Sequence, residues 1–135
     1  MYLIDTNIVS ELSKPKVNEG VKKWISLQEQ LSLSIISYHE LRYGINRLKQ
    51  EQKKKLEAWW NEFLAFSPEF LPIDLNISNI ASLIRSKSES EGVKMTLADS
   101  IIAATALQHN RILVTRNVSD FEKCGIGLLN PFEII

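Results

Sequence analysis

Short apolar runs of strand length recur along the chain and predict five β-strands. They occupy residues 2–4, 31–36, 70–73, 111–115 and 127–129. Pro72 interrupts the third run, which therefore predicts a short strand or one at an edge of the sheet.

Apolar residues at helical spacing fill the segments between these runs. One stripe at i, i+3, i+4, i+7 and i+8 consists of Leu56, Trp59, Trp60, Phe63 and Leu64. A second stripe covers residues 77–84, and residues 97–107 are apolar almost all round, which is typical of a buried helix. Strands that alternate with helices predict an α/β fold, with a central, mostly parallel sheet of four to five strands covered on both faces. The length predicts one domain over residues 1–135.

Composition is that of an ordinary globular protein and excludes little else. The 16 basic and 16 acidic residues cancel, so any contact with nucleic acid must come from a local patch. One cysteine cannot form an internal disulfide. We see no signal peptide and no apolar segment of membrane-spanning length, so we expect a cytoplasmic protein without membrane contact.

Acidic residues stand where the predicted strands end. Asp5 directly follows the first strand, Glu40 comes four residues after the second, and Asp120 comes five residues after the fourth. Ligands of open parallel sheets bind beyond the carboxyl ends of the strands. We therefore expect these three acids along one edge of the sheet, and Asp99 joins them if the buried helix also starts there.

Helix capping is the alternative explanation of the same residues. Ser37-x-x-Glu40 and Thr96-x-x-Asp99 both fit a capping box, and Asn117-x-x-Asp120 is a looser version. Asp74, the remaining aspartate, is explained by capping of the helix that follows it.

A shared location distinguishes the two explanations. Carboxylates crowded into one cleft repel one another and raise their pKa values, and a divalent cation removes that penalty. Oxygen ligands suit Mg²⁺ or Mn²⁺, whereas one cysteine and two scattered histidines provide no zinc spacing.

Four ordered motifs resemble one family. They are DTN at residues 5–7, Ser37 to Gly44 with Glu40-Leu41, Asp99 with IAATA at 102–106, and TRN at 115–117 followed by Asp120-Phe121. The chain is similar over essentially its whole length to PIN-domain ribonucleases, in particular to the toxins of VapBC-type and FitAB-type type II toxin–antitoxin pairs.

The resemblance implies a PIN-like three-layer α/β/α fold and a metal-dependent endoribonuclease. Asp5, Glu40, Asp99 and Asp120 take the places of the family's metal-binding acids, which hold one or two Mg²⁺ or Mn²⁺ ions. The last of these acids varies most in the family and often acts through water. Hydrolysis of RNA by water would leave a 5′-phosphate and a 3′-hydroxyl.

The resemblance also implies supporting residues and partners. Thr6 would orient Asp5 or a water, Asn117 would support the last acid, and Ser10 is a further candidate for the duty of Thr6. Arg116 is a candidate contact for the RNA backbone. The family forms homodimers and is blocked by a cognate antitoxin protein, and we expect Trp59 or Trp60 to border the antitoxin groove.

Several alternatives stay open. Gly44, one helical turn after Glu40, indicates either room for substrate or close helix packing. The lysine run at residues 53–55 indicates a solvated helix face or a phosphate contact. Two other functional classes are a PIN-like binding module without catalysis and a magnesium-binding phospho-receiver domain. This chain lacks the mid-chain aspartate on which a receiver domain is phosphorylated. No glycine-rich turn suits a dinucleotide or P-loop site.

Overall fold

The computed structural model describes residues 1–134 and contains five short strands and six α-helices over that range. The strands are β1 Tyr2–Ile4, β2 Ser32–Ser34, β3 Glu69–Leu71, β4 Ile112–Val114 and β5 Leu128–Leu129. The helices are α1 Thr6–Leu12, α2 Glu19–Ser26, α3 Ile35–Asn46, α4 Gln50–Ala65, α5 Leu75–Ser90 and α6 Leu97–Gln108. Short 3₁₀ helices cover Val118–Asp120 and Pro131–Glu133.

Every paired strand is parallel to its neighbour. β4 pairs with both β1 and β5, and β2 pairs with β3. β1 lies beside β2, where the group of three strands meets the group of two. The predicted α/β fold with a parallel sheet is confirmed, and the hydrogen bonding adds that five strands divide into these two groups.

The second strand is shorter than its apolar run predicts. The hydroxyl of Ser34 accepts a hydrogen bond from Ile36 N at 3.1 Å and caps α3, so the strand ends there. The apolar residues Ile35 and Ile36 therefore belong to the first turn of α3. A run of apolar letters alone does not distinguish a buried strand from the helix that continues it.

Both faces of the sheet are covered. Successive strand residues point to opposite faces, and accordingly Ile4 and Val114 pack with α1, α2 and α4, whereas Leu3 and Leu113 pack with α6. The three-layer arrangement predicted from the resemblance is confirmed. Since the helices cover the faces, the carboxyl edge of the sheet is left open to side chains from the following loops and helices.

The last long helix, α6, is buried along most of its length and begins at this edge. Residues 100–106 are all buried, and Ala81 of α5 packs against Ala104 of α6. Small side chains let the two helices approach closely. Asp74 caps α5 by accepting a hydrogen bond from Ile77 N at 2.7 Å, which confirms the predicted capping role. Within residues 1–134, no helix has the length and apolar character needed to cross a membrane.

Candidate metal centre

Asp5 lies at the carboxyl end of β1 and is only 5% exposed. Its backbone N–H continues the parallel pairing by donating to Val114 O at 2.9 Å. Oδ1 accepts a hydrogen bond from Thr6 N at 2.7 Å, and Oδ2 accepts one from the Thr115 hydroxyl at 2.8 Å and a longer one from Asn7 Nδ2 at 3.3 Å. The strand and three donors therefore hold this carboxylate in place.

Glu40 reaches the same edge from α3. The Thr6 hydroxyl lies 2.7 Å from Glu40 Oε1 and 2.9 Å from the hydroxyl of Ser37. A hydroxyl has one proton to donate, so Thr6 donates to the carboxylate and can accept from Ser37. The capping box predicted for Ser37 and Glu40 is wrong, because Ser34 caps α3 and the other two residues lie within the helix.

Asp99 stands in the first turn of α6, where Asp99 N donates to the Thr96 hydroxyl at 3.1 Å. This cap agrees with the pattern seen in the sequence and fixes the start of the helix. Asp120 is exposed and ends the 3₁₀ helix Val118–Asp120. The looser cap predicted from Asn117 is wrong, since its side chain makes no capping hydrogen bond to this helix.

Neighbouring negative charges raise the pKa of two of these acids, Asp99 and Asp5. Burial, followed by the negative charges of Asp5, Asp120 and Glu40, raises the pKa of Asp99 from 3.8 to about 6. Such coupling requires the charges to be near each other in a poorly solvated cleft. The fold therefore brings the charges of Asp5, Glu40 and Asp120 within range of Asp99, although the four acids are spread over 115 positions of the chain, from residue 5 to residue 120.

Asp5 shows the same competition. Burial raises its pKa most, hydrogen bonds from Thr115 and Thr6 lower it, and the charges of Glu40 and Asp120 raise it again. The donors favour the charged form of this residue, whereas its burial and the neighbouring charges favour the neutral form.

The donor set fits a hard divalent cation. All four groups are carboxylates, and within residues 1–134 none of them forms a salt bridge with a lysine or arginine. Over the same residues, no three acidic, histidine or cysteine side chains lie close enough for a ready-made metal cage. An ion at this edge would be held directly by fewer than three of these side chains, with water at its other positions, as is common for Mg²⁺.

The remaining candidates from the sequence lie around this cluster in different ways. Asn117 contributes backbone contacts, because its N–H donates to the Thr115 hydroxyl and its carbonyl accepts from Asp120 N. Ser10 is exposed and lines a groove that also includes Glu40. Arg116 lies with its guanidinium carbon 4.7 Å from the centre of the Phe132 ring.

Three residues that lie in the sequence motifs, but for which the sequence predicted no role in the site, complete it: Asn7, Ser37 and Thr115. Thr115 is fully buried and ties Asp5 to Asn7, and Ser37 is fully buried beneath Thr6. Thr115 directly follows β4, as Asp5 directly follows β1. Because β1 and β4 are parallel neighbours, the residues that follow them lie side by side. The sequence suggested only a capping role for Ser37, and its contact with Thr6 could not be foreseen because the two residues are 31 positions apart.

Two grooves flank the tryptophans of α4. Trp60 is only 3% exposed and belongs to the core, whereas Trp59 is partly exposed and lines both grooves. One groove runs past Phe63 and Phe66, and the other runs past Glu40 and Gly44. A methyl group added at Gly44 would meet nothing within 4 Å, so this glycine leaves open space beside the acid and does not serve close helix packing.

Comparison with known proteins identifies the family. The PIN domain model matches residues 2–125. The chain is 34% identical to the VapC ribonuclease Y4jK of Sinorhizobium fredii and 35% identical to the toxin FitB of Neisseria gonorrhoeae, each over 98% of this chain and 99% of the relative. The chain belongs to the PIN-domain family, within the group that contains these VapC and FitB proteins.

Solved structures agree with this assignment. The crystal structure of FitAcB from Neisseria gonorrhoeae superposes with a TM-score of 0.87 at 34% identity and covers 99% of this chain and 100% of its own. A toxin–antitoxin complex from Klebsiella pneumoniae superposes with a TM-score of 0.74 at 27% identity, with the same coverage. A structure of FitAB bound to a DNA fragment is also similar, with a TM-score of 0.87 at 33% identity.

Proposed function

We propose that this protein is a Mg²⁺- or Mn²⁺-dependent endoribonuclease and the toxin of a type II toxin–antitoxin pair. The observation that carries the proposal is that the charges of Glu40 and Asp120 act on both Asp5 and Asp99, and that none of these four carboxylates has a cationic partner among the described residues. Membership in a family whose relatives are named ribonucleases and toxins supports the choice of reaction.

Asp5, Glu40 and Asp99 would hold one or two cations, with Asp120 acting directly or through a water. When bound, such an ion lowers the pKa of a water molecule and offsets negative charge on the phosphoryl oxygens. Because the pKa of free Asp99 is raised to about 6, ion binding is expected to displace a proton from that group near or below pH 6.

The protein's own groups set the geometry of the reaction. Thr6 holds the Glu40 carboxylate by a hydrogen bond of 2.7 Å, and Thr115 holds Asp5 by one of 2.8 Å. Fixed carboxylates cost little reorganisation when charge develops on the substrate. Attack by water opposite the 3′-oxygen of the scissile phosphodiester leaves a 5′-phosphate and a 3′-hydroxyl.

Arg116 is our candidate contact for the RNA backbone. Its guanidinium stacks on Phe132, and its backbone N–H lies 3.3 Å from Asn7 Oδ1, next to the residues that hold Asp5. A guanidinium held against an aromatic ring loses less conformational freedom when it binds a phosphate.

The activity is tested by incubating the purified protein with structured RNA in Mg²⁺, in Mn²⁺ and in EDTA. We expect cleavage only with a divalent ion and products that carry a 5′-phosphate. Asp5→Asn and Asp99→Asn should abolish cleavage, whereas Asp74→Asn, at an acid outside the cluster that caps α5, should retain it. Metal-independent cleavage would refute the mechanism, and metal-dependent RNA binding without cleavage would support the inactive binding module. The phospho-receiver alternative is not favoured, since the family is that of PIN domains.

A cognate antitoxin and a second copy of the chain are the proposed protein partners. A similar solved structure is named a toxin–antitoxin complex, and a relative is named a toxin. Trp59 presents its ring to two grooves, so Trp59→Ala should weaken antitoxin binding or dimerisation. Leu75→Ala, at an exposed position of α5, is the control. Unchanged antitoxin affinity together with unchanged solution mass would contradict the proposed role of Trp59.

A further inference from the structure

A hollow of about 270 Å³ lies between the C-terminal half of α5, the segment that follows it and the loop that carries Asp120. We call it the α5 hollow and define it by Leu83, Ile84, Lys87, Val93, Met95 and Asp120. Leu83 is 61% exposed and Val93 is 50% exposed, so the hollow presents apolar surface to solvent. Exposed apolar surface inside a concavity is typical of ligand sites.

The α5 hollow opens onto the acidic cluster. Asp120, one of the four acids, stands in its wall. Cys124, four residues further along the same loop, also lines the hollow. A ligand that fills the hollow would therefore lie directly beside the candidate metal centre.

The wall of the hollow around Val93 is held in place by the chain itself. The Ser88 hydroxyl donates to Val93 O at 2.7 Å, and Val93 N donates to Ser88 O at 3.0 Å. Gly92 adopts φ of 78°, a left-handed conformation that favours glycine and turns the chain at this point. These contacts fix the backbone that carries Val93 in the wall of the hollow.

We propose that the α5 hollow binds one nucleotide of the RNA strand, next to the phosphodiester at the acidic cluster. The inference rests on the proposed ribonuclease function and adds where the strand runs. The apolar side chains would contact the face of an unstacked base, as apolar pockets for extruded bases do. The phosphates on either side of that base would lie at the rim.

Charges at the rim support an RNA strand as the occupant. Lys87 and Lys123 line the hollow, and within residues 1–134 neither forms a salt bridge, whereas the nearby Arg85 pairs with Glu89. Glu91, Asp120 and Glu122 also line the hollow, so its carboxylates outnumber its lysines, and phosphate contacts would come from Lys87 and Lys123 individually and not from a basic patch. Lys87 and Lys123 could each contact a phosphate of the strand, while the apolar side chains between them contact a base.

Cys124 makes the occupancy measurable because it is the single cysteine of the chain. The Glu40→Gln variant with Mg²⁺ should bind a single-stranded RNA oligonucleotide without cleaving it. Saturating RNA should slow alkylation of Cys124 by N-ethylmaleimide about fivefold or more, as followed by mass spectrometry. RNA that binds without slowing the alkylation would overturn the hollow as a subsite.

Kinetics provide the second test. Lys87→Glu with Lys123→Glu should raise KM for RNA by about tenfold or more, and should change cleavage of bis(p-nitrophenyl) phosphate by less than about twofold, because that small diester does not reach the rim. Lys22→Glu with Lys23→Glu, an equal change of charge on the exposed side of α2, should leave both values nearly unchanged. Equal losses in the two double variants would overturn the subsite and indicate general electrostatics.

Filling the hollow is a third measurement, and it separates the two proposals. Val93→Trp should raise KM for RNA, with Leu27→Trp, at an exposed position of α2's C-terminal end, as the control. If Val93→Trp keeps the KM for RNA but loses antitoxin binding, the α5 hollow binds a protein partner and not a nucleotide. Absence of both RNA binding and RNA cleavage in the wild-type protein would instead overturn the proposed function itself.

Discussion

The raised pKa of Asp99 makes the stability of the protein depend on pH over a defined range. In the folded, metal-free protein this pKa is about 6, against 3.8 for an unperturbed aspartate. Between these values the folded state binds more protons than the unfolded state, so the free energy of unfolding falls as pH rises. The charged Asp99 is thus a source of instability above pH 6 that a bound cation would remove.

Asp99→Asn should therefore stabilise the metal-free protein at pH 7 by about 1–2 kcal/mol, after a discount for the solvent that screens this half-buried group. The gain should shrink as pH falls through 6 and vanish below pH 4, where the native carboxyl is protonated. Thermal unfolding of both proteins in EDTA from pH 4 to pH 8 measures this. A variant that is less stable at pH 7 would favour a purely structural, capping role for Asp99.

Thr115 lowers the pKa of its neighbour Asp5, because its buried hydroxyl donates a hydrogen bond that stabilises the charged carboxylate. Thr115→Val keeps the shape of the side chain but removes the donor at 2.8 Å from Asp5 Oδ2. We expect a loss of about 1–3 kcal/mol in the free energy of unfolding, the usual cost of an unsatisfied buried polar group. Urea denaturation in EDTA at pH 7 measures it, with Thr115→Ser as the variant that keeps the hydroxyl. Equal stability of the valine and serine variants would contradict this role.

At the level of elements, the residue at which a helix begins fixes the position of the acids in and before its first turn. α6 begins at the Thr96 cap, which places Asp99 in its first turn, and α5 begins at the Asp74 cap, away from the cluster. Both caps satisfy backbone N–H groups that a helix start otherwise leaves without partners. Only the first of them also positions a residue of the candidate metal centre.

Thr96→Ala and Asp74→Ala form a matched pair of cap deletions. Each should lower the free energy of unfolding by about 1 kcal/mol. Thr96→Ala should in addition reduce RNA cleavage, because the first turn of α6 frays and Asp99 loses its fixed position, whereas Asp74→Ala should leave cleavage near the wild-type rate. Unfolding curves and cleavage rates below the melting range separate the two effects. A similar loss of activity in both variants would mean that helix stability alone matters.

At the level of the whole molecule, the proposed cation would link segments that the chain separates by about a hundred residues. Ligands that bind only the folded state stabilise it, by about 2.7 kcal/mol at a concentration one hundred times Kd. Mg²⁺ or Mn²⁺ should therefore raise Tm of the wild-type protein, and the rise should weaken as pH falls through 6, where protons compete for Asp99.

Differential scanning fluorimetry tests this link. Asp5→Asn should lose the metal-dependent rise in Tm, and Asp74→Asn should keep it, with NaCl at matched ionic strength as a control for screening. The same rise in all three proteins would show that the ion acts elsewhere on the surface.

The local pattern of the sequence predicted most elements but not all their limits. Periodic apolar positions identified α4, α5 and α6 because one buried face repeats every turn. The limits of β2 were mispredicted because a single hydroxyl, that of Ser34, converts an apolar run from strand to helix.

The sequence by itself determined the kind of chemistry: carboxylates after strands, caps at helix starts, and a fold whose open edge collects them. The tertiary structure decided which groups meet, because the contacts of Thr6 with Glu40 and of Thr115 with Asp5 join residues 34 and 110 positions apart. It also decided the protonation of Asp99 and the open space at Gly44 and in the α5 hollow. Burial, mutual charge and empty volume are properties of packed neighbours, and no local window of sequence contains them.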